Sequence, residues 1–414
     1  MMLKAGNFRI AILATLLAGC STTPRLNTQH VPDWVSEDVA SAPTNHIEPK
    51  PTAISPSPTT NLPPALPLAA PAPAVFSLPE DRETWVPFPR WCKANGLPPP
   101  AMLSAGPPPT YSLNTTNGAF ILHVGSRVVT WDRMQLNLGF PPQLINGQLF
   151  VHALDLKKAF RPLVAGTKLS AANRVIVIDP GHGGENAGTR SAVAIRYEKE
   201  FTLDWARRLA SLLVSNGWEV VLTRNSDLDL SLTNRTAIAE SRKADLFISL
   251  HFNSAAPNEA EAGLETYCLT PSGMPSTVTR GFPDDSSLAF PNNMFDQQNL
   301  LLAASLHRAI LQVNGSRDRG VRRARFLGVL RNQRRPAVLI EGGYLSNPRE
   351  ARMISDPAYR QKLAEAVTQG LMFAVEIKPE KQPTSVTSTQ SPVRQTPDPK
   401  TQRTEAKTTT TAAP

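Results

Sequence analysis

Arg174-Val-Ile-Val-Ile-Asp-Pro-Gly-His-Gly-Gly184 decides how the folded part of this chain is built. Val175 to Ile178 is an unbroken β-branched run with no polar alternation. That is the mark of a strand buried on both faces, as in a mainly parallel sheet. The glycines on either side of His182 let the backbone turn sharply after the strand and clear space beside the imidazole. A polar residue in the turn after a buried strand stands where open α/β sheets bind their ligands, in the crevice beyond the carboxyl ends of the strands.

Downstream the pattern alternates. Residues 199–215 carry Phe201, Trp205, Leu209 and Leu212 on one stripe, with Gly217 just past the end, and read as a helix. Residues 218–223 read as a strand, 233–242 as a helix, 245–250 and 263–269 as strands and 297–313 as a helix. Strands at 326–330 and 337–340 follow, and a helix at 360–375 closes the series. Such βα succession calls for right-handed crossovers. The fold class expected for 173–376 is therefore α/β, a mainly parallel twisted sheet with helices on both faces.

Upstream, residues 109–166 predict a small α+β module. Gly125 separates two short strand patterns at 119–124 and 126–131, and Asn146-Gly147 is a hairpin signal between 144–145 and 149–151. Residues 154–160 fit a short helix. The module is similar to the small stalk domain ahead of copper amine oxidases and in some wall enzymes, which implies spacing, support or wall binding. Prolines crowd the segment before it, and residues 20–82 are rich in Pro, Thr, Ala and Ser. Such a segment buries too little apolar surface to offset its chain entropy and should be an extended disordered linker. Residues 377–414 have the same character and are expected to be a disordered tail.

The N-terminus reads as an export signal, residues 1–19. Lys4 and Arg9 precede a short apolar run from Ile10 to Ala18, too short to span a bilayer. Leu17-Ala18-Gly19-Cys20 resembles the lipobox of bacterial lipoproteins. The resemblance implies cleavage before Cys20, a lipid on its thiol and a membrane anchor; an ordinary signal peptide with an incidental cysteine is the alternative. Ser21, rather than Asp, points to the outer membrane, facing the periplasm, if the host has one. Cys92 and Cys268 then remain, and neither a disulfide framework nor a metal-ligand spacing surrounds them.

Four polar stretches sit at strand ends or helix starts: Asp179-Pro-Gly-His-Gly-Gly184, Tyr197-Glu-Lys-Glu200, Ser249-Leu-His-Phe-Asn253 and Leu339-Ile-Glu-Gly-Gly343. A catalytic zinc commonly takes three protein ligands and keeps one open position. His182, Glu198 and His251 make a set of that kind, leaving Glu341 as a carboxylate to take a proton from the attacking water. Taken singly, each has an ordinary reading: a strand-end His as a structural residue, Glu198 as an acid complementing a helix N-terminus, Glu341 as an ion-pair partner.

Together they carry a resemblance. Residues 174–375 resemble the catalytic domain of zinc-dependent N-acetylmuramoyl-L-alanine amidases. The shared motifs are Asp179-Pro-Gly-His-Gly-Gly184, Glu198-Lys199, Arg224, Leu232 with Arg235, Ser249-Leu-His-Phe-Asn253, Gly263-Leu-Glu-Thr-Tyr267 and Glu341-Gly-Gly-Tyr-Leu-Ser-Asn347. The resemblance implies zinc on His182, Glu198 and His251, with Glu341 as the catalytic glutamate. It also implies peptidoglycan as the partner and hydrolysis of the amide between N-acetylmuramic acid and L-alanine as the reaction. The rivals are a zinc peptidase acting within the stem peptide and a non-catalytic wall-binding lipoprotein. Two departures stand out. Asn186 occupies a position where the family usually has an acid. Residues 271–295 form a polar, Pro- and Asn-rich excursion where some relatives carry a blocking helix; it lacks helical periodicity, which argues against a helical plug and leaves a lid open.

Much of the net charge of +9 is local, with eight arginines against Asp318 between Arg317 and Arg335. Stem peptides carry carboxylates that arginine binds well, so substrate contacts are sought there; a solvated basic face is the alternative. Nucleic acid would suit such a patch, but export argues against it.

Overall fold

The structure is a computed structural model that describes residues 84–279 and 284–376. The export signal, Cys20, the 20–82 linker and the 377–414 tail lie outside the described residues. The described chain begins with β1 (Trp85–Pro87) and α1 (Phe88–Ala94). Then come β2 (Ala101–Ser104), β3 (Thr110–Thr115), β4 (Gly118–His123), β5 (Val128–Trp131) and β6 (Met134–Asn137). β7 (Gln143–Ile145) and β8 (Gln148–His152) form the hairpin; Asn146 and Gly147 both take positive φ, 50° and 77°, as a type I′ turn demands. α2 (Ala153–Asp155), a π-helical turn (Leu156–Phe160), α3 (Arg161–Ala165) and β9 (Leu169–Ser170) lead to the second half.

That half runs β10 (Val175–Pro180), α4 (Glu198–Ser215), β11 (Glu219–Leu222), α5 (Leu232–Ser241), β12 (Leu246–Asn253) and β13 (Leu264–Cys268). It continues with α6 (Asp296–Asn314), β14 (Asp318–Arg323), α7 (Gly328–Arg331), β15 (Ala337–Tyr344), α8 (Pro348–Ser355), α9 (Pro357–Ala374) and β16 (Val375–Glu376).

One sheet takes the order β11-β10-β12-β15-β13-β14-β6-β5-β4-β3-β2. β11, β10, β12 and β15 are mutually parallel. β13 pairs antiparallel with β15, and β14 runs parallel to β13. The catalytic sheet is thus mixed. The antiparallel joint has a consequence for the site, because it sets residue 265 directly opposite residue 341. Strands β6 to β2 continue this sheet through the Val321↔Leu136 pairing of β14 with β6, while β1, β8 and β7 form a separate three-stranded sheet.

Alternation along each buried strand divides the core. Ile176, Ile178, Ile248 and Ile340 pack with Phe201 and Trp205 of α4 and with the buried faces of α6 and α9. The same cluster runs on to Trp91, Phe120 and Phe160 upstream. Val175, Val177, Phe247 and Leu339 face the other way, onto Ala239 of α5 and Leu330 of α7.

One expectation is corrected. Residues 326–330 are not a strand; α7 lies there, and the strand is β14. Asp318-Arg-Gly-Val-Arg-Arg323 hides it, because its charges are paired within the sheet rather than alternating with apolar residues. The described residues of the 271–295 excursion lie away from the His182 cluster. β13 runs against β15, so the chain leaves it at the amino end of β15. There Asn292 Nδ2 donates to the Arg335 carbonyl (2.8 Å) and Asn293 Nδ2 to that of Thr270 (3.0 Å). Met274 is fully buried, and Arg127 reaches the carbonyls of Pro275 and Ser276 at 3.2 Å. The described part of the excursion packs toward the upstream strands, at the end of the sheet away from His182. Cys92 and Cys268 are buried and unpaired, and burial pushes their thiols up to about 12 and about 11.

Candidate active site

His182 follows β10 in a left-handed conformation, φ 62°, which non-glycine residues adopt at a cost that tends to mark functional turns. Its surroundings are built to hold it there. Asp179, at the end of β10, accepts from Thr223 Oγ1 (2.5 Å), Arg235 Nη1 (2.7 Å) and Ser249 Oγ (2.7 Å). Burial works against its charge, but Arg235 and the two hydroxyls outweigh that and hold its carboxyl below the usual range. Arg235 Nη2 also donates to the His182 carbonyl (2.9 Å), and Arg224 Nη2 donates to the Gly181 carbonyl (2.8 Å). The two arginines of the motif set therefore clamp the main chain of the turn.

Glu198 is the first residue of α4, where the helix macrodipole favours a carboxylate. The helix start is fixed by Glu200 Oε1, which accepts from the Tyr197 amide at 3.0 Å. Glu198 is fully buried. Its Oε1 stands 3.0 Å from His251 Nδ1 and accepts from the Phe252 amide at 3.0 Å. Its Oε2 stands 3.1 Å from His182 Nε2 and accepts from the Thr189 amide at 3.1 Å. Burial alone would raise the Glu198 carboxyl; the two imidazoles reverse this and hold it far below the usual range.

His251 sits near the end of β12, beside β10. Burial pushes its imidazole down despite Glu198, toward the neutral form that a metal ligand requires. His182 is also penalised by burial, but Glu198 lifts it above its ordinary value. The ligand-capable atoms of His182, Glu198 and His251 all lie within 4.8 Å of one another, the one such group among the described residues. Glu341 is the register neighbour of His251 across the β12–β15 pair. It is 2% exposed, and its Oε2 has no hydrogen-bond partner. Burial, with Glu198 and Glu265 nearby, pushes its carboxyl well above the ordinary range. The four residues singled out from the sequence are therefore brought together. Two imidazoles and two carboxylates without a buried cationic side chain among them suit a divalent cation, and two neutral nitrogens with one oxygen suit zinc.

Asn186 does by hydrogen bonding what an acid would do with charge: its Oδ1 lies 2.7 Å from His182 Nδ1, leaving Nε2 turned to Glu198. Sequence reasoning missed Gly188. A Cβ there would stand 2.7 Å from both Glu198 Oε2 and His182 Cδ2, and at Gly181 a Cβ would meet His251 Cε1 at 2.2 Å. Gly181 belongs to the motif around His182, whereas Gly188 carries no signal in a single sequence beyond its type.

The arginines between Arg317 and Arg335 mostly hold the fold. Arg323 donates to the Lys158 carbonyl (2.8 Å), Arg325 to Asp284 (2.5 Å) and the Met274 carbonyl (2.7 Å), and Arg335 is bound to Glu240 and the Ala239 carbonyl. These three are buried and lie toward the amino end of β15. Arg319 and Arg322, on β14, gather at Glu265 beside Glu341.

The site is thus a buried His–Glu–His cluster with a carboxylate beside it, in the crevice at the strand ends of an α/β sheet. The sequence profile described as N-acetylmuramoyl-L-alanine amidase matches residues 176–372. The chain is 32% identical over 242 residues to the N-acetylmuramoyl-L-alanine amidase AmiC of Escherichia coli O6:H1, covering 52% of this chain and 57% of that one. It is 34% identical over 204 residues to the amidase CwlM of Bacillus licheniformis, covering 49% of this chain and 69% of that one. The catalytic domain of CwlV, an N-acetylmuramoyl-L-alanine amidase from Bacillus (Paenibacillus) polymyxa var. colistinus, matches at 32% identity with a TM-score of 0.40, over 48% of this chain and 96% of that one. The chain belongs to the N-acetylmuramoyl-L-alanine amidase family, and the domain that carries this site is an amidase domain.

Proposed function

We propose that this chain hydrolyses the amide between N-acetylmuramic acid and L-alanine in peptidoglycan, with zinc held by His182, Glu198 and His251. The observation that carries the reading is the unpartnered Glu341 Oε2, buried one strand across from His251. Zinc, when bound, supplies a Lewis acid that polarises the scissile carbonyl and lowers the pKa of a water toward ~7.

The chain's own groups do the rest. Asn186 orients the His182 imidazole through Nδ1, leaving Nε2 toward the cluster. Glu341 Oε2 takes a proton from water as its oxygen bonds to the lactyl carbonyl carbon. As the C–N bond breaks, the same carboxyl returns the proton to the departing L-alanine nitrogen, so that one group serves as base and then acid. A carboxyl that burial inclines to hold a proton is suited to the second step. Chelator treatment of the full-length protein is expected to abolish muropeptide cleavage, and zinc to restore it. Full activity in protein shown to be metal-free would end the proposal.

Cys20 is proposed to carry a lipid anchor, placing the enzyme on a membrane after export. Support comes from the Leu17-Ala18-Gly19-Cys20 pattern alone. Buried acyl chains contribute ~0.8 kcal/mol per CH₂, so Cys20→Ser should move the protein from the detergent phase to the aqueous phase while export continues. Unchanged partitioning would count against the anchor.

A further inference from the structure

Glu265 is a buried carboxylate that the hydrolytic steps do not use. Its Oε1 accepts from Arg319 Nε at 2.6 Å and from the Tyr344 hydroxyl at 3.0 Å. Its Oε2 accepts from the Tyr267 hydroxyl at 2.6 Å and from Asn253 Nδ2 at 3.0 Å. Arg322 Nε stands 3.6 Å from Oε1. These partners come from β12, β13, β14 and β15, four strands meeting on one side chain. Burial works against its charge, but Arg322 and Arg319 outweigh it and keep the carboxyl below its usual range.

Its position is costly. Glu265 stands directly opposite Glu341 in the antiparallel β13–β15 pair, where side chains share a face with Cβ atoms about 4.5–5.5 Å apart and like charges destabilise. Arg319 and Arg322 offset that repulsion, but these ion pairs do not by themselves say what the carboxylate aligns.

The local geometry does. Between Glu341 and Tyr344 lie Gly342 and Gly343, where the β12–β15 register slips: His251 faces Glu341, but Asn253 faces Tyr344. Such an irregularity re-aims the side chains beside it, and two glycines supply no side chain to fix the angle. Glu265 clamps the slip from outside. It holds Asn253, two residues past His251, and Tyr344, three past Glu341, on the two oxygens of one carboxylate.

We infer that Glu265 is a positioning residue that fixes the ends of β12 and β15 so that Glu341 faces the His182–Glu198–His251 cluster. The inference rests on Glu341 being the general base. A misplacement of about 1 Å can cost on the order of a hundredfold in rate, so a loosened clamp should act on turnover rather than on binding.

The test uses the zinc-loaded full-length protein. Glu265→Gln keeps the shape but sets an amide nitrogen against hydrogen-bond donors. It should retain full zinc and a KM within about twofold, with kcat down at least about tenfold. Tyr344→Phe removes one tie and leaves the Arg319 pair; it should lower kcat severalfold, and it carries the test alone should Glu265→Gln fail to fold. Within a Glu341→Gln background neither change should lower the residual rate further, because both act through that carboxylate. Parental kcat in a zinc-replete, folded variant would overturn the inference. So would losses that multiply with Glu341→Gln, which would mark a general defect of the fold. Failure of the underlying reading looks different, as an active Glu341→Gln protein.

Discussion

Glu341→Gln is expected to bind zinc like the parent protein and to cleave muropeptides at least about a hundredfold more slowly, since general acid–base groups typically contribute 10²–10⁴-fold. The expectation follows from what the side chain touches. Its Oε2 has no hydrogen-bond partner, and it is not among the three residues whose ligand-capable atoms converge. Glutamine preserves volume, so the packing around β15 is kept while proton transfer is lost. The measurement is zinc content by elemental analysis beside the steady-state rate. A zinc-replete variant cleaving at nearly the parental rate would require another base.

Glu198→Ala should give the opposite signature, with loss of the metal first and of activity with it. Glu198 joins His182 at 3.1 Å and His251 at 3.0 Å, and it accepts two main-chain amides besides. Removing it takes away one donor and the group that orients the other two. Orienting contacts alone are commonly worth 10–100-fold in metal affinity, so loss of a donor should exceed that. Dialysed variant protein is expected to retain little zinc, and added zinc should not restore the rate at concentrations that saturate the parent. Stoichiometric zinc in a folded Glu198→Ala protein would remove Glu198 from the ligand set.

Much of this site was legible because each chemical group closes a strongly patterned element. Val175 to Ile178 announces a buried strand, and the glycines after it announce a turn, so the place of His182 needed no structure. Glu198 opens a helix with an apolar stripe, and His251 and Glu341 lie on strands buried throughout. The motif resemblance then tied the four together. Where local pattern and tertiary partners diverge, the sequence misleads. β14 lies in a stretch legible only by its charge, because Arg319 and Arg322 find Glu265 on β13 and Arg319 also finds Glu261 just before it. Arg335 precedes Glu341 by only six residues. Along an extended strand that spacing is roughly 20 Å at ~3.3 Å per residue, and the guanidinium is buried at the far end. The pairing of β6 with β14 at Val321↔Leu136, which carries the sheet upstream, has no local signature in the sequence. The roles of Gly188 and Asn186 depend on side chains that approach only after folding.

Which bond is cut is decided by mass spectrometry of a purified disaccharide-peptide digested with the zinc-loaded protein. Two products are expected: an intact stem peptide with a free L-alanine amine, and a disaccharide whose lactyl group ends in a carboxylate. Shortened stems, with muramic acid still joined to L-alanine, would contradict this expectation and make the enzyme a peptidase built on the same metal centre.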